Sequence, residues 1–560
     1  MSAAPAPIEL EAGGRTIGGL QLGAGPPLVL LNGLAATHAD WDPAFVAALA
    51  ESWTVVALDH RGMGASSDDG APFTIEDLAA DVAAATDGLG LGPAAVAGWW
   101  YGFGFFLFNL FWIGEAFLVE AEKFALLMPF AVTLLPSGMA LFWAMAAGAA
   151  KRFWTPGASR VLALAIALAL VEWLRGHILT GLPWNVLGYA LTYPLPLMQS
   201  AALTGVYGLT LPAVLIFATP AVLLAGRDGR PSHADRSRAV LIAVVPLAVA
   251  WGYGSWRLAE NPARDVPGVK LRIVQPSVPQ REKWQPQHQL RIFEDHIALS
   301  LASPDGVRDD LAPITHVIWP EAAMPFLPLE QPKALERIAQ MLPEGRVLLS
   351  GALRREQDGN GVMRGYNSLI AFDDTAKAVA IYDKVHLVPF GEYLPLAPVL
   401  TALGFQKLTH GLGSFDTGPG SRPPLTVPGL PPVAGLICYE VLFPGAVIDD
   451  GQRPGAIINV TNDGWFGDTT GPRQHAHQAR VRAVEEGLPI VRAANNGISA
   501  VFDPYGRITA WIGMNERKAA DSVLPAAAQV TPYGRFRDWI FWAEILVSWL
   551  IAFAARRSYR

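Results

Sequence analysis

At 560 residues the chain exceeds one ordinary core, so two or more domains are expected. It is 51% hydrophobic, carries 18 tryptophans and is only 16% charged, below the roughly 25% of soluble domains, which points to the membrane. A net charge of -7 gives no reason to expect a nucleic acid partner, and a single cysteine excludes an internal disulfide.

Residues 1 to about 97 read as a soluble block, and Met1 to Leu22 lacks the basic start and apolar run of a secretory leader. Pro27 to Gly33 is a short apolar strand ending in a turn, and Trp53 to Asp59 is a second strand. Thr74 to Leu89 has helical spacing, with Thr74 as N-cap and Glu76 and Asp77 in the first turn. The segment Asp59-His60-Arg61-Gly62-Met63-Gly64-Ala65-Ser66 resembles the opening of an α/β-hydrolase, where a third strand runs into Gly-x-Ser-x-Gly. Ala94 to Gly98 begins such a strand, but Trp99-Trp100-Tyr101-Gly102 stands where the nucleophile serine belongs. The block is read as a partial α/β-hydrolase-like fragment without catalysis.

From Gly98 the composition changes abruptly. Ala94 to Gly114 and Phe124 to Ala150 carry no charge, and each is long enough to span a bilayer. Further candidate spans lie at about 159–175, 200–226, 239–256 and 539–555; Glu172 and Arg175 interrupt the third, and Glu544 sits inside the last. Basic clusters follow the second span (Lys151, Arg152), separate the fourth and fifth (Arg227, Arg230, Arg236, Arg238) and follow the sixth (Arg556, Arg557). If the spans alternate, all three clusters share one side, which the positive-inside rule makes cytoplasmic together with residues 1–97. The loop His177 to Trp184 and everything from Arg257 to Arg537 then fall outside. This divides the chain into a fragment at 1–97, a five-span helical domain at 98–257, an external domain at 268–530 and a C-terminal span at 538–556.

The external block alternates strands and helices, as in a layered α/β sandwich. Strand candidates are 269–274, 316–319, 346–350, 368–372, 378–382, 455–460 and 498–502, the fourth and fifth forming a hairpin across Asp373-Asp374. Helical segments run from Gln287 to Leu301 and from Gln474 to Glu486. Three apolar runs each end in a residue of different chemistry: Glu321 after His316-Val317-Ile318-Trp319-Pro320, Lys384 after Tyr382-Asp383, and Cys438 after Val433 to Ile437. A thiol with an ordinary pKa of about 8.5 is mostly protonated at neutral pH, so a nucleophilic cysteine needs a base and a cation nearby. Glu321 can take the proton, and Lys384 can favour the thiolate and then the oxyanion of a tetrahedral intermediate, helped by the Tyr439 backbone N–H. Glu, Lys and Cys in that order are the parts of a nitrilase-type site.

Gly98 to Gly104, Gly181-Leu182-Pro183-Trp184-Asn185, Trp319-Pro320-Glu321, Lys384 to Tyr393, Cys438-Tyr439-Glu440, Asn462 to Gly467 and Ala493 to Ser499 together resemble the apolipoprotein N-acyltransferase family over residues 98–555. The resemblance implies a multi-pass α-helical bacterial inner-membrane protein with a periplasmic nitrilase-like αββα sandwich. It implies transfer of an acyl chain from a membrane phospholipid, through a thioester on Cys438, to the N-terminal amine of a diacylglyceryl-cysteine apolipoprotein. It implies Glu321 as base, Lys384 as oxyanion and thiolate stabiliser, Glu392, Tyr439 and Glu440 as supporting residues and Trp284 in substrate handling. No cofactor is expected, and the working unit is a monomer. The family's first two spanning helices are replaced here by the hydrolase-like fragment.

Gln474-His475-Ala476-His477 suggests no metal, because the spacing puts the two histidines on different helix faces. Gly102-Phe103-Gly104 lacks the third glycine of a dinucleotide fingerprint. Two rival functions use the same parts: a membrane-tethered nitrilase-type amidase whose acyl-enzyme is resolved by water, and an inactive fusion lacking the first two spans.

Overall fold

The computed structural model describes the chain apart from residues 1–4, 13, 25–26, 32–36, 52, 68–69, 71–73, 89–92, 155–158, 225–232, 303–310, 396, 398–414 and 559–560. Two compact units emerge: Met1–Phe103 with Ala140–Arg152, and Gly104–Met139 with Phe153–Arg560.

In the first unit, β1 (Ala6–Ala12), β2 (Arg15–Leu22), β3 (Pro27–Leu31) and β4 (Thr54–Leu58) form one sheet in the order β1-β2-β4-β3, with β3 and β4 parallel. Helices α1 (Pro43–Ala50) and α2 (Ile75–Gly88) accompany it, and Ile17, Val56, Leu58 and Ala85 make a small core. The strand expected at Ala94–Gly98 is helical instead: α3 runs from Pro93 to Leu110. An alanine-rich apolar run can serve either state, and here it continues without a break for 18 residues, too long for a strand.

The second unit holds two facing sheets. One has the order β15-β5-β6-β7-β8-β9 and the other β10-β11-β12-β13-β14. Their ranges are β5 Asp265–Gln275, β6 His316–Trp319, β7 Val347–Gln357, β8 Met363–Phe372, β9 Ala378–Asp383, β10 Val433–Ile437, β11 Ala456–Thr461, β12 Ile490–Ala494, β13 Ser499–Phe502, β14 Ile508–Ile512 and β15 Lys518–Pro525. Leu271, Ile273, Ile318, Leu349 and Leu369 of the first sheet meet Val433, Ile437, Val460, Val491 and Val501 of the second in one buried cluster. The outer face of the first sheet is covered by Phe293 and Ile297 of α8 (Gln289–Leu301) and Ile338 and Met341 of α9 (Pro332–Met341). Helix α10 (Gly471–Glu486) packs on the second sheet and is buried along most of its length. Four layers, αββα, result. β8 and β9 pair antiparallel, as their spacing predicts.

Both units contain parts of the apolar helices. Among the described residues three stretches are long and apolar enough to cross a membrane: Ala121–Arg152, which contains α4 (Met128–Arg152), Ala201–Pro220 in α6 (Ala201–Leu224), and Val240–Glu260 in α7 (His233–Glu260). Ala94–Leu110 and Trp539–Ala554 are shorter apolar helices, the latter within α11 (Trp539–Ser558). Helix α5 (Ser159–His177) falls outside both classes and carries three charged residues, Arg160, Glu172 and Arg175. Glu172 and Arg175 are buried and paired with each other, and Arg175 also donates to the Leu182 and Trp184 carbonyls. Glu544 faces other helices, lining a cavity of about 240 Å³ with Ser200, Thr204 and Tyr253. Of the basic residues used for orientation, Arg227 and Arg230 lie outside the described residues.

Candidate active site

Each member of the expected trio follows the end of a strand. Glu321 comes two residues after β6, Lys384 directly after β9 and Cys438 directly after β10. β6 lies between the parallel neighbours β5 and β7, and β10 is parallel to β11, so their carboxyl ends open toward the space where these side chains converge. Cys438 is at φ +50°, a left-handed conformation that costs a non-glycine residue about 1–2 kcal/mol. Ala322, next to Glu321, is at φ +45°. Strained backbone thus flanks both the base and the nucleophile.

The three groups are nearly dry: Glu321 is 8% exposed, Lys384 1% and Cys438 9%. The Lys384 ammonium is 2.8 Å from Glu392 Oε2 and 3.9 Å from Glu321 Oε1. Asn367 Nδ2 donates to Glu321 Oε1 at 2.8 Å and to Glu392 Oε1 at 3.0 Å, so one amide spaces the two carboxylates. The other Glu321 oxygen accepts from the Asn462 backbone N–H at 2.8 Å. Both oxygens of the base are therefore held by hydrogen bonds.

Glu440 is fully buried and ties the lysine loop to the cysteine turn. It accepts from the Tyr382 hydroxyl at 2.8 Å, from the Val385 and His386 N–H groups at 2.9 and 3.0 Å, and from the Ile437 N–H at 2.8 Å. The Tyr439 hydroxyl donates to Gly181 O at 2.9 Å, and His386 Nε2 is 2.9 Å from Thr180 O, so the loop after α5 lies against the site. Trp284 is half-buried, its ring 6.0 Å from the neighbouring Lys283 ammonium.

Electrostatics follow from burial and these charges. Burial first, then the Glu321 charge, push the Cys438 thiol up, while Lys384 pulls it down. Burial raises Glu321 above 4.5, opposed chiefly by Lys384. Burial pulls the Lys384 pKa down, but Glu392 and Glu321 outweigh it and hold the ammonium charged well above its usual range. The resting thiol is thus protonated beside a carboxylate of raised basicity and a permanent cation. That arrangement suits proton transfer coupled to attack.

Family models match the chain in three places: carbon-nitrogen hydrolase at residues 270–529, apolipoprotein N-acyltransferase N-terminal domain at 78–219, and alpha/beta hydrolase fold at 26–102. The apolipoprotein N-acyltransferase of Rhodopseudomonas palustris is 45% identical over 469 residues, covering 83% of this chain and 86% of that one. That of Rhizobium meliloti is 40% identical over 542 residues, covering 95% and 98%. The chain belongs to the apolipoprotein N-acyltransferase family. Residues 270–529 carry the nitrilase-like fold, and residues 26–102 match part of a second one.

Four residues at the site escaped the sequence reading. Asn367 is the amide between the carboxylates. Lys283 is buried and donates to the Glu321 carbonyl at 3.0 Å, and burial lowers its pKa to about 8. Thr461 lies beside the Cys438 thiol and favours its ionised form. His475 reaches the Cys438 carbonyl. For Thr461 the available signal was a polar residue at the end of a mostly apolar strand. His477, the neighbour of His475, turns away to the Thr192 hydroxyl at 2.8 Å. Among the described residues no group of three or more His, Cys, Asp or Glu is placed to hold a metal ion.

Proposed function

We propose that this chain transfers an acyl group from a membrane phospholipid to the N-terminal amine of a diacylglyceryl-cysteine apolipoprotein, through a thioester on Cys438. Glu321 takes the thiol proton as the sulfur attacks the ester carbonyl. The Lys384 ammonium and the Tyr439 N–H hold the tetrahedral oxyanion. Collapse breaks the ester C–O bond, and the departing lysophospholipid oxygen receives the proton from Glu321. In the second half the neutral acceptor amine attacks the thioester, a C–N bond forms, and the C–S bond breaks. Glu321 moves the amine proton to the leaving sulfur. Atoms balance with no cofactor, and the thiol is regenerated.

The observation that carries this reading is the burial of base, cation and nucleophile together beside a loop, Thr180–Gly181, that follows helix α5. A dry site disfavours water as the acyl acceptor, and its neighbourhood suits substrates that arrive in a bilayer. Glu392 and Glu440 act here by holding Lys384, Tyr439 by holding the loop, and Trp284 by lining the approach. We assign residues 98–257 and 538–556 to the bacterial inner membrane as a multi-pass domain, 1–97 to the cytoplasm and 268–530 to the periplasm, following Lys151 and Arg152 as the inside marker. The protein acts as a monomer in this reading.

The test supplies a phospholipid with a labelled acyl chain and a diacylglyceryl-cysteine peptide. N-acylated peptide and lysophospholipid are expected. Free fatty acid with no acylated peptide would replace the transferase by an amidase-type hydrolase.

A further inference from the structure

Behind the nucleophile lies a polar chain that proton transfer does not use. His475 is 1% exposed and sits on α10 beneath the cysteine turn. Its Nε2 is 3.2 Å from the Cys438 carbonyl oxygen, and its Nδ1 is 2.8 Å from Asp463 Oδ1 and 3.0 Å from Arg492 Nη2. Asp463 is in turn held by Thr461 Oγ1 at 2.9 Å and Arg492 Nη2 at 2.8 Å. The ring packs between Trp184 and Phe466, with centroids at 5.6 and 5.9 Å.

A carbonyl oxygen only accepts, so Nε2 must carry a hydrogen. This holds for both forms of the ring: a neutral imidazole accepts at Nδ1 from Arg492, and an imidazolium donates there to Asp463. The peptide joining Cys438 to Tyr439 is planar and trans, so its C=O and N–H point in opposite directions. Holding the carbonyl toward His475 therefore aims the Tyr439 N–H the other way. Cys438 at φ +50° is in a conformation its own side chain does not favour, so the peptide plane needs an external hold.

We infer that His475 is a positioning residue for the oxyanion site: by donating to the Cys438 carbonyl it orients the Tyr439 N–H toward the substrate oxygen. This rests on the acyl-transfer reading. Asp463 and Arg492 fix the ring, and His475 itself touches no substrate.

The test uses the full chain in detergent, comparing acylation by a phospholipid ester with acylation by the matching thionoester. Sulfur accepts hydrogen bonds poorly, so wild type favours the oxygen ester. In His475→Leu the oxygen-ester rate should fall roughly 10- to 100-fold, with the thionoester rate nearly unchanged, because an oxyanion donor has lost its aim. Alkylation of Cys438 by iodoacetamide should stay within about twofold, showing the thiol itself intact. His475→Gln, whose amide can still donate, should restore the preference. An unchanged ester-to-thionoester ratio in His475→Leu, or a loss of alkylation matching the loss of acylation, overturns the assignment. If His475→Leu does not fold, Asp463→Asn takes its place with the same readouts. If wild type transfers no acyl group to the peptide, the acyl-transfer reading fails alone. The burst with p-nitrophenyl acetate and its thiono counterpart then decides the role of His475.

Discussion

Lys384 gives its shortest contact, 2.8 Å, to Glu392 rather than to the proposed base Glu321, which stands 3.9 Å away. The ammonium is thereby neutralised by a carboxylate outside the proton path, leaving Glu321 basic enough to accept from sulfur. Glu392→Gln should collapse this division of labour, drawing Lys384 onto Glu321. Acyl-enzyme formation should fall about 10- to 100-fold, and thermal stability should fall as well, since breaking a buried ion pair typically costs about 3–5 kcal/mol. Single-turnover acylation and thermal unfolding check both; full activity with an unchanged unfolding temperature would contradict it.

Cys438 combines reactivity with backbone strain. Cys438→Ala and Cys438→Gly should both form no labelled acyl-enzyme. Glycine adopts φ +50° freely, so Cys438→Gly should be the more stable of the two by about 1 kcal/mol after its greater unfolded-state entropy is counted. Denaturation of the two variants side by side measures this; a less stable glycine variant would remove strain from the description.

Acid dependence belongs to Glu321. The carboxylate must be ionised to work, and burial raises its pKa above 4.5, so donor-half activity should fall as pH drops through that raised value. The Asn367 amide favours the ionised form, so Asn367→Leu should move the acid limb upward while lowering the plateau. A pH profile of acyl-enzyme formation reads the limb directly.

Gly351 of β7 faces the backbone of the base. A Cβ there would stand 2.5 Å from Glu321 Cα and 2.6 Å from the Pro320 carbonyl oxygen, so the chain at Glu321 must move. Gly351→Ala should lower kcat by about tenfold or more through misplacement of the carboxylate, with iodoacetamide still reaching Cys438.

How much of this was legible in the sequence depends on where an apolar run stops. His316–Trp319, Ala378–Tyr382 and Val433–Ile437 each stop just before a residue of a different kind, which exposed Glu321, Lys384 and Cys438. Asn367 lies in the middle of β8 and Arg492 in the middle of β12, where every side chain of Ile490–Ala494 is buried. Their partners are distant in the chain, and no local pattern announces them. Ala94–Gly98 misled for the opposite reason: five small apolar residues fit strand and helix alike until the run to Leu110 is weighed. The hairpin of β1 and β2 was missed although Ile8-Glu9-Leu10-Glu11 alternates before Gly13-Gly14.

The break in α6 at Gly205, φ +67°, releases the Val206 N–H from the helix ladder, and Glu485 of α10 accepts it at 2.8 Å. Arg482, one turn earlier on α10 and fully buried, pairs with the same carboxylate at 2.8 Å. Glu485→Leu should therefore lower unfolding stability in detergent by about 3–5 kcal/mol, measured by thermal melts. The sandwich thus supplies a missing stitch to a helix that it never joins by peptide bond. A gene cut at residue 268 would hand each half one loose end, a hydrophobic helix with a bare donor and a water-exposed surface of arginine and glutamate built for a dry seam.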